Sequence, residues 1–246
     1  MTAIRILDCG EQAMVVEFGA EIDPAINACV HRLARILVDA MPNGILEVVP
    51  TYRSLMIYFD PLVIPRKMLR EGIASLLPGI ERADPVSDVR KVITVPVSYG
   101  GEFGPDLEFV ARHNGLTADD VVAIHTSAPL LIYMLGFTPG FPYLGISERI
   151  AAPRLDTPRV RVPAGSVGIA GTQSGVYPIE SPGGWRLIGR TPLRIFDPES
   201  ECPFLFAAGD SIQFAAIHAD GFRALKQQVA QRAYSPEVRY LNLPAR

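Results

Sequence analysis

Cysteine is scarce in this 246-residue chain: Cys9, Cys29 and Cys202 are odd in number, far apart, and form no Cys-x-x-Cys pair. That excludes a disulfide framework and suggests buried thiols in a reducing compartment, so a cytoplasmic protein is expected. No apolar run approaches the ~18 residues of a membrane span. The start, Met-Thr-Ala-Ile-Arg-Ile, lacks the apolar core of a signal peptide. A net charge of −3 gives no basic footprint for a nucleic-acid backbone.

Familiar catalytic apparatus is lacking too. No glycine-rich turn ends in Gly-Lys-Ser/Thr, so there is no phosphate loop. Gly165, Gly168 and Gly171 recur every three residues, which is not the dinucleotide fingerprint. His31, His113, His125 and His218 are scattered, none at metal-ligand spacing from another His or Cys, so no metal is expected and each reads as structural or solvated. Ser166, in Ala-Gly-Ser-Val-Gly, does not fit the nucleophile elbow. A chain without its own catalytic set acts through a partner.

What is present is ample core material, 48% hydrophobic residues over a length that holds one large domain or two small ones. Residues 4–18 read as two strands around Cys9-Gly10-Glu11. Asp23-Pro24 starts a helix with Ile26, Cys29, Val30, Leu33 and Leu37 on one stripe, stopped by Met41-Pro42-Asn43-Gly44. Ile45–Val49 and Leu55–Phe59 are strands, and Pro65 opens a helix carrying Met68, Leu69, Ile73, Leu76 and Leu77. This ββαββα order predicts a small α+β domain over 1–84. Between Pro78 and Lys91 the periodicity lapses, which places a boundary before a second domain over 90–246.

The second domain opens with a strand, Val92–Val97, in which Pro96 predicts an edge or a strand end. Two short helices follow, one from Asp106 to His113, one from the Thr117–Asp120 capping box. Leu130–Leu135 reads as a strand buried on both faces; Leu193–Asp197 and Ser211–Phe214 read as further strands. A last helix is capped by Asp220 and carries Phe222, Leu225 and Val229. Many short strands and few helices predict a β-barrel or sandwich over 90–220.

Leu135–Arg190 is too rich in glycine and proline for a helix and carries three clusters of chemistry. Thr138-Pro139-Gly140-Phe141-Pro142-Tyr143 displays two rings that either plug a barrel end or wall a ligand cleft. Arg159 and Arg161 flank Val160; on one strand face they would suit a carboxylate or carbamoyl oxygen, or simply be solvated. Gln173, Tyr177, Glu180, Ser181 and the Gly183-Gly184-Trp185 turn crowd polar and aromatic groups together. Glu180 either pairs with Arg159, Arg161 or Arg190, or orients an amide-bearing ligand, and a lone tryptophan such as Trp185 is more often core than ligand stack.

Three runs, Leu135–Gly145, Arg161–Gly171 and Tyr177–Pro192, resemble the family of 5-oxoprolinase B subunits, also called allophanate hydrolase subunit 1. That family includes an inhibitor of a sporulation histidine kinase and matches half of the carboxyltransferase region of urea carboxylase. The resemblance implies a C-terminal cyclophilin-like β-barrel and a hetero-oligomer with subunits A and C, the latter a paralogous barrel protein. The assembly would open the lactam of 5-oxoproline to glutamate with ATP as co-substrate, engaged elsewhere in the complex, leaving the isolated chain inactive. Ile146-Ser147-Glu148 and Thr172 depart from the pattern where the family often has glycine. Two other roles follow from the same resemblance: a regulator that inhibits a histidine kinase, and a carboxyltransferase-like half in urea or allophanate metabolism. The expected substrate-binding residues are Phe141, Tyr143, Arg159, Arg161, Gln173, Tyr177, Glu180 and Trp185; the catalytic residues stay open.

Overall fold

The computed structural model describes residues 4–40, 43–82 and 89–242, which fall into two compact units, 4–82 and 89–242. The stop at Met41-Pro42 and the boundary segment 83–88 lie outside the described residues.

The first unit runs β1 (Arg5–Asp8), β2 (Ala13–Glu17), α1 (Pro24–Ala40), β3 (Ile45–Pro50), β4 (Ser54–Phe59) and α2 (Arg66–Arg82). Its antiparallel sheet has the order β1-β2-β4-β3. Period-two alternation buries Met14 and Val16 from β2 and Leu55, Ile57 and Phe59 from β4 in one core with Val30, Leu33 and Leu37 of α1. Asp23 caps α1, its Oδ1 accepting from the backbone nitrogens of Ala25 (2.7 Å) and Ile26 (3.1 Å).

Two expectations for α2 change. The helix continues through Pro78 to Arg82, because Ile80 is buried in the core and its carbonyl accepts from Arg32 Nη1 at 2.6 Å. Core burial outweighs the lost proline donor. Met68 is 63% exposed, since the buried stripe runs through Leu69, Ile73 and Ile80. One residue before Leu69, Met68 stands about 100° round the helix from that stripe.

The second unit begins with β5 (Val89–Tyr99), α3 (Leu107–His113), α4 (Ala118–Thr126), β6 (Leu130–Leu135) and β7 (Pro142–Gly145). It continues with β8 (Arg159–Val162), β9 (Ser166–Ala170), β10 (Gln173–Val176), β11 (Ser181–Gly183), β12 (Arg186–Arg190), β13 (Ser211–Ala216), α5 (Ala219–Ala230) and β14 (Val238–Asn242). The main sheet runs β12-β9-β10-β7-β6-β13-β5-β14, and β12 also pairs with β5. That last pairing, Gly189 to Tyr99 and Arg190 to Ser98, closes seven strands into a barrel with β14 added outside. A closed barrel in one unit and a small sheet in the other make the α+β architecture that the resemblance implies, with the barrel fitting a cyclophilin-like fold. Ile93, Val95, Val97, Ile132, Val167, Ile169, Ile188 and Phe214 fill it.

Pro96 sits inside β5 rather than at its end, at a position paired among the described residues on one side, with β13, and so at a local edge. The Thr94 N–H donates to Glu237 O, so the nitrogen two residues on faces the same side. There it falls in the gap between the β14 pairing, which ends at Ile93, and the β12 pairing, which begins at Ser98. No ladder bond is lost.

Other expectations are corrected likewise. Leu193–Asp197 is not a strand; only Phe196 bridges, to Phe204. α5 is capped by His218 rather than Asp220, which stands in its first turn. β14 had no sequence-level counterpart. Cys9 and Cys202 are exposed and Cys29 half-buried, because the first two lie in connecting segments rather than in core elements. The Thr117–Asp120 capping box forms as read, with Asp120 N donating to Thr117 Oγ1 at 3.1 Å. Among the described residues no helix is long and apolar enough to cross a membrane.

Candidate functional site

The loop into β7 is folded by its own backbone: Gly136 N donates to Phe141 O and Phe141 N to Thr138 O, both at 3.1 Å. The turn swings Phe141 inward, where it is 1% exposed among Val162, Ala170, Tyr177, Trp185 and Leu187. Phe141 meets Tyr177 (5.2 Å) and Trp185 (5.4 Å) edge to face, and Tyr143 at 5.0 Å. Such dense ring packing needs absent side chains nearby. A Cβ on Gly175 would stand 2.7 Å from Phe141 Cε1, and one on Gly183 2.8 Å from Tyr177 Cε1.

Phe141, Tyr177 and Trp185 therefore form a satellite core. The rings that reach the surface are Tyr143, half-buried, and Phe137, 62% exposed and edge-on to both Phe141 and Tyr177. Phe137 holds φ at 63°, a conformation that costs a bulky side chain of order 1 kcal/mol. Two buried hydroxyls border this region without a hydrogen-bond partner, Thr138 Oγ1 in the loop and Ser181 Oγ on β11.

The arginines do not act as a pair. Between Arg159↔Gly183 and Val162↔Ser181, β8 spans one residue more than β11, and this bulge breaks the alternation. Arg159 Nη2 binds Asp106, 3.0 Å from Oδ1 and 2.9 Å from Oδ2. Arg161 Nε binds Glu180 Oε2 at 2.7 Å in an exposed pair. Glu180 thus meets one of its three candidate arginines. Gln173, on β10, pairs through its backbone with Ala170 and Gly145, away from the arginine pairs in the ladder.

Two residues that sequence reasoning passed over matter here. Asp106, read only as a helix start, is buried and links Arg159 to β12, its Oδ2 also accepting from Leu187 N at 2.7 Å. Arg154 is exposed, with its guanidinium carbon 5.9 Å from the Trp185 ring centroid and no ion pair among the described residues. No local signal marks either, since their partners lie 31 or more positions away. Burial raises the pKa of Tyr143 while Arg154 lowers it; burial also raises that of Tyr177, opposed by a hydrogen bond from the Trp185 backbone and by Arg154. Both phenols stay protonated near neutrality. Chemically, the surface offers a cation, one half-buried phenol and one exposed apolar ring, which suits a small polar ligand with an apolar face. Among the described residues no three His, Cys, Asp or Glu converge as metal ligands.

His125, predicted as structural or solvated, is buried in the barrel. Its Nδ1 is 2.8 Å from Tyr99 Oη, its Nε2 2.9 Å from Ser174 Oγ, and its ring stacks on Phe214 at 4.4 Å. Burial lowers its pKa to about 3.

Known proteins share this architecture. The family model described as carboxyltransferase domain, subdomain C and D, matches residues 4–206. Over 234 residues the chain is 44% identical to the 5-oxoprolinase B subunit of Bacillus subtilis (strain 168), covering 91% of this chain and 97% of that protein. The 5-oxoprolinase B subunit of Escherichia coli O157:H7 is 43% identical over 215 residues, 87% of this chain and 96% of that one. The crystal structure of the K. lactis urea amidolyase superposes with a TM-score of 0.82 at 22% identity, over 97% of this chain and 16% of that chain, a likeness of fold. The chain therefore belongs to the carboxyltransferase subdomain C and D family, in the branch whose curated members are named as 5-oxoprolinase B subunits.

Proposed function

We propose that this chain is the B subunit of a 5-oxoprolinase that works with subunits A and C. The carrying observation is the 44% identity that runs through 97% of a relative bearing that name. The reaction is ATP-dependent hydrolysis of the lactam of 5-oxo-L-proline. ATP phosphorylates the amide oxygen and ADP leaves; water adds at the activated carbon, the C–N bond breaks to give γ-glutamyl phosphate, and a second water hydrolyses that acyl phosphate to L-glutamate and phosphate. ATP is engaged elsewhere in the assembly, and the isolated chain is inactive.

The substrate-facing surface of this subunit is the one built on the aromatic cluster. Tyr143 and Arg154 present donors to a carbonyl or carboxylate, and Phe137 covers the apolar side. Phe141, Tyr177 and Trp185 support these groups from below, while Arg159, Arg161, Gln173 and Glu180 fix the strands around them. Arg154→Ala in the reconstituted complex should raise KM for 5-oxoproline at least fivefold. Unchanged kinetics with an intact fold would remove Arg154 from the site, and no glutamate from any reconstitution of the three subunits would overturn the oxoprolinase reading.

A second reading, a carboxyltransferase-like half acting on urea or a related amide, is favoured by the family model. It predicts biotin-dependent carboxyl transfer to urea in place of glutamate release, and the same reconstitution separates the two.

A further inference from the structure

Away from the aromatic cluster, α5 and the segment after β12 enclose a cleft with a volume of about 230 Å³. That is below the ~300 Å³ at which drug-sized sites begin, so an occupant must be small. Its lining carries Arg190, Arg194 and Lys226 and, among the described residues, no acidic side chain, against apolar walls that include Pro178, Phe196 and Phe222. The walls are braced from behind: Phe222 packs on Phe103 at 4.6 Å and Phe196 on Phe204 at 5.2 Å.

The cations are unequally committed. Arg194 reaches Asp197 at 3.4 Å. Arg190 spends only its Nε, on Ala164 O at 2.9 Å, and its two Nη groups meet no acceptor among the described residues. Lys226 has no hydrogen bond or ion pair among them either. Burial lowers the pKa of Arg190, and Glu102 and Glu180 raise it from a distance; those carboxylates are engaged with Arg223 (3.8 Å) and Arg161 (2.7 Å) respectively.

A neighbouring cleft shows the contrast. It shares Leu193, Arg194 and Val229 with the first, but there Lys91 has Asp210 (4.0 Å) and Arg232 has Asp197 (3.2 Å) and Glu199 (3.7 Å). Its charges are balanced within the fold. Those of Arg190 and Lys226 are not, and a half-buried guanidinium with idle donors is stabilised by an anion that brings two acceptor oxygens. A bare inorganic anion would leave the half-buried Phe196 wall wet.

We propose that this cleft binds a small organic carboxylate, its charge held by Arg190 and Lys226 and its apolar body lying against Phe196 and Phe222. Pro178 lines the cleft and the adjacent Tyr177 belongs to the aromatic cluster, so an occupant would border the segment that supports the other site. The inference rests on the cleft and not on the oxoprolinase reading.

The test uses the full chain alone, with backbone amide NMR shifts at Thr191, Phe222 and Lys226 as the readout. Cyclopentanecarboxylate should give saturable shifts there that weaken with added salt. Cyclopentanol, the neutral analogue, should give none, and inorganic phosphate should bind at least fivefold more weakly. Lys226→Glu, an exposed substitution on α5, should weaken carboxylate binding at least tenfold, and Lys226→Arg should restore it. Equal binding of phosphate, equal binding of cyclopentanol, or indifference to Lys226→Glu would each overturn the proposal. 5-Oxo-L-proline is the further probe. Binding that Lys226→Glu weakens supports the site, whereas shifts of 5-oxo-L-proline elsewhere that Lys226→Glu leaves intact exclude it as the occupant. Because no turnover is measured, failure here is distinct from failure of the reconstituted enzyme.

Discussion

Asp106 and Arg159 form a two-oxygen ion pair across 53 positions of sequence, at 3.0 and 2.9 Å, and the same carboxylate accepts the Leu187 N–H at 2.7 Å. One buried side chain thus ties the start of α3 to β8 and to β12. Asp106→Ala leaves the Leu187 donor without its acceptor and the Arg159 guanidinium with the Trp185 carbonyl, 3.4 Å from Nη1, in place of an ion pair, so it should destabilise the chain by about 2–3 kcal/mol. Arg159→Ala, which leaves the Leu187 bond in place, should cost less. Urea denaturation of both variants checks the order.

The Arg161–Glu180 pair should behave differently. Its side chains are 76% and 48% exposed, so water competes for both partners. A double-mutant cycle should return a coupling below ~1 kcal/mol that shrinks with salt. A larger, salt-insensitive coupling would mean that the pair is shielded in solution.

His125 sets an acid limit on stability. Burial lowers its pKa to about 3, whereas in the unfolded chain it titrates near ~6.5. Above that upper value both states are neutral and the ring contributes no pH dependence. As pH falls below it, the unfolded chain takes a proton that the folded chain refuses, and stability drops by up to ~1.4 kcal/mol per pH unit until the lower value is reached. His125→Gln should flatten this slope even if it lowers overall stability. The difference in slope between the two chains, measured by denaturation at several pH values, is the readout.

Phe137 carries backbone strain at φ 63° while 62% exposed, so its side chain does little for the core. Phe137→Gly relieves the strain and adds chain entropy, which should leave the unfolding free energy within ~1 kcal/mol of the parent. If the ring is held for the substrate surface, activity of the reconstituted complex should nevertheless fall at least tenfold. Unchanged activity would assign the strain to loop packing.

Much of this molecule was legible as pattern. Period-two alternation in Met14–Phe18 and Leu55–Phe59, the Asp23 cap and the Thr117–Asp120 box each act over a few residues, and each forms. Reading failed where a distant partner decided. Leu193–Asp197 has strand composition but only a bridge to Phe204, and α2 passes Pro78 because the core receives Ile80. The arginine spacing suggested one face, and a bulge against β11 gave each guanidinium a different acid.

The local elements, the motif-rich stretch and the family are written in the chain, because turn chemistry, side-chain period and long idiosyncratic runs are all properties of contiguous residues. Folding in three dimensions is what closes β12 on β5, gives Arg159 to Asp106, and brings Tyr99, His125 and Ser174 together inside the barrel. It also left Arg190 and Lys226, on one cleft, without an ion pair among the described residues. These contacts join segments tens of residues apart. They are fixed by which strands pair and which volumes fill, and the period of one segment carries no record of the segment it will meet.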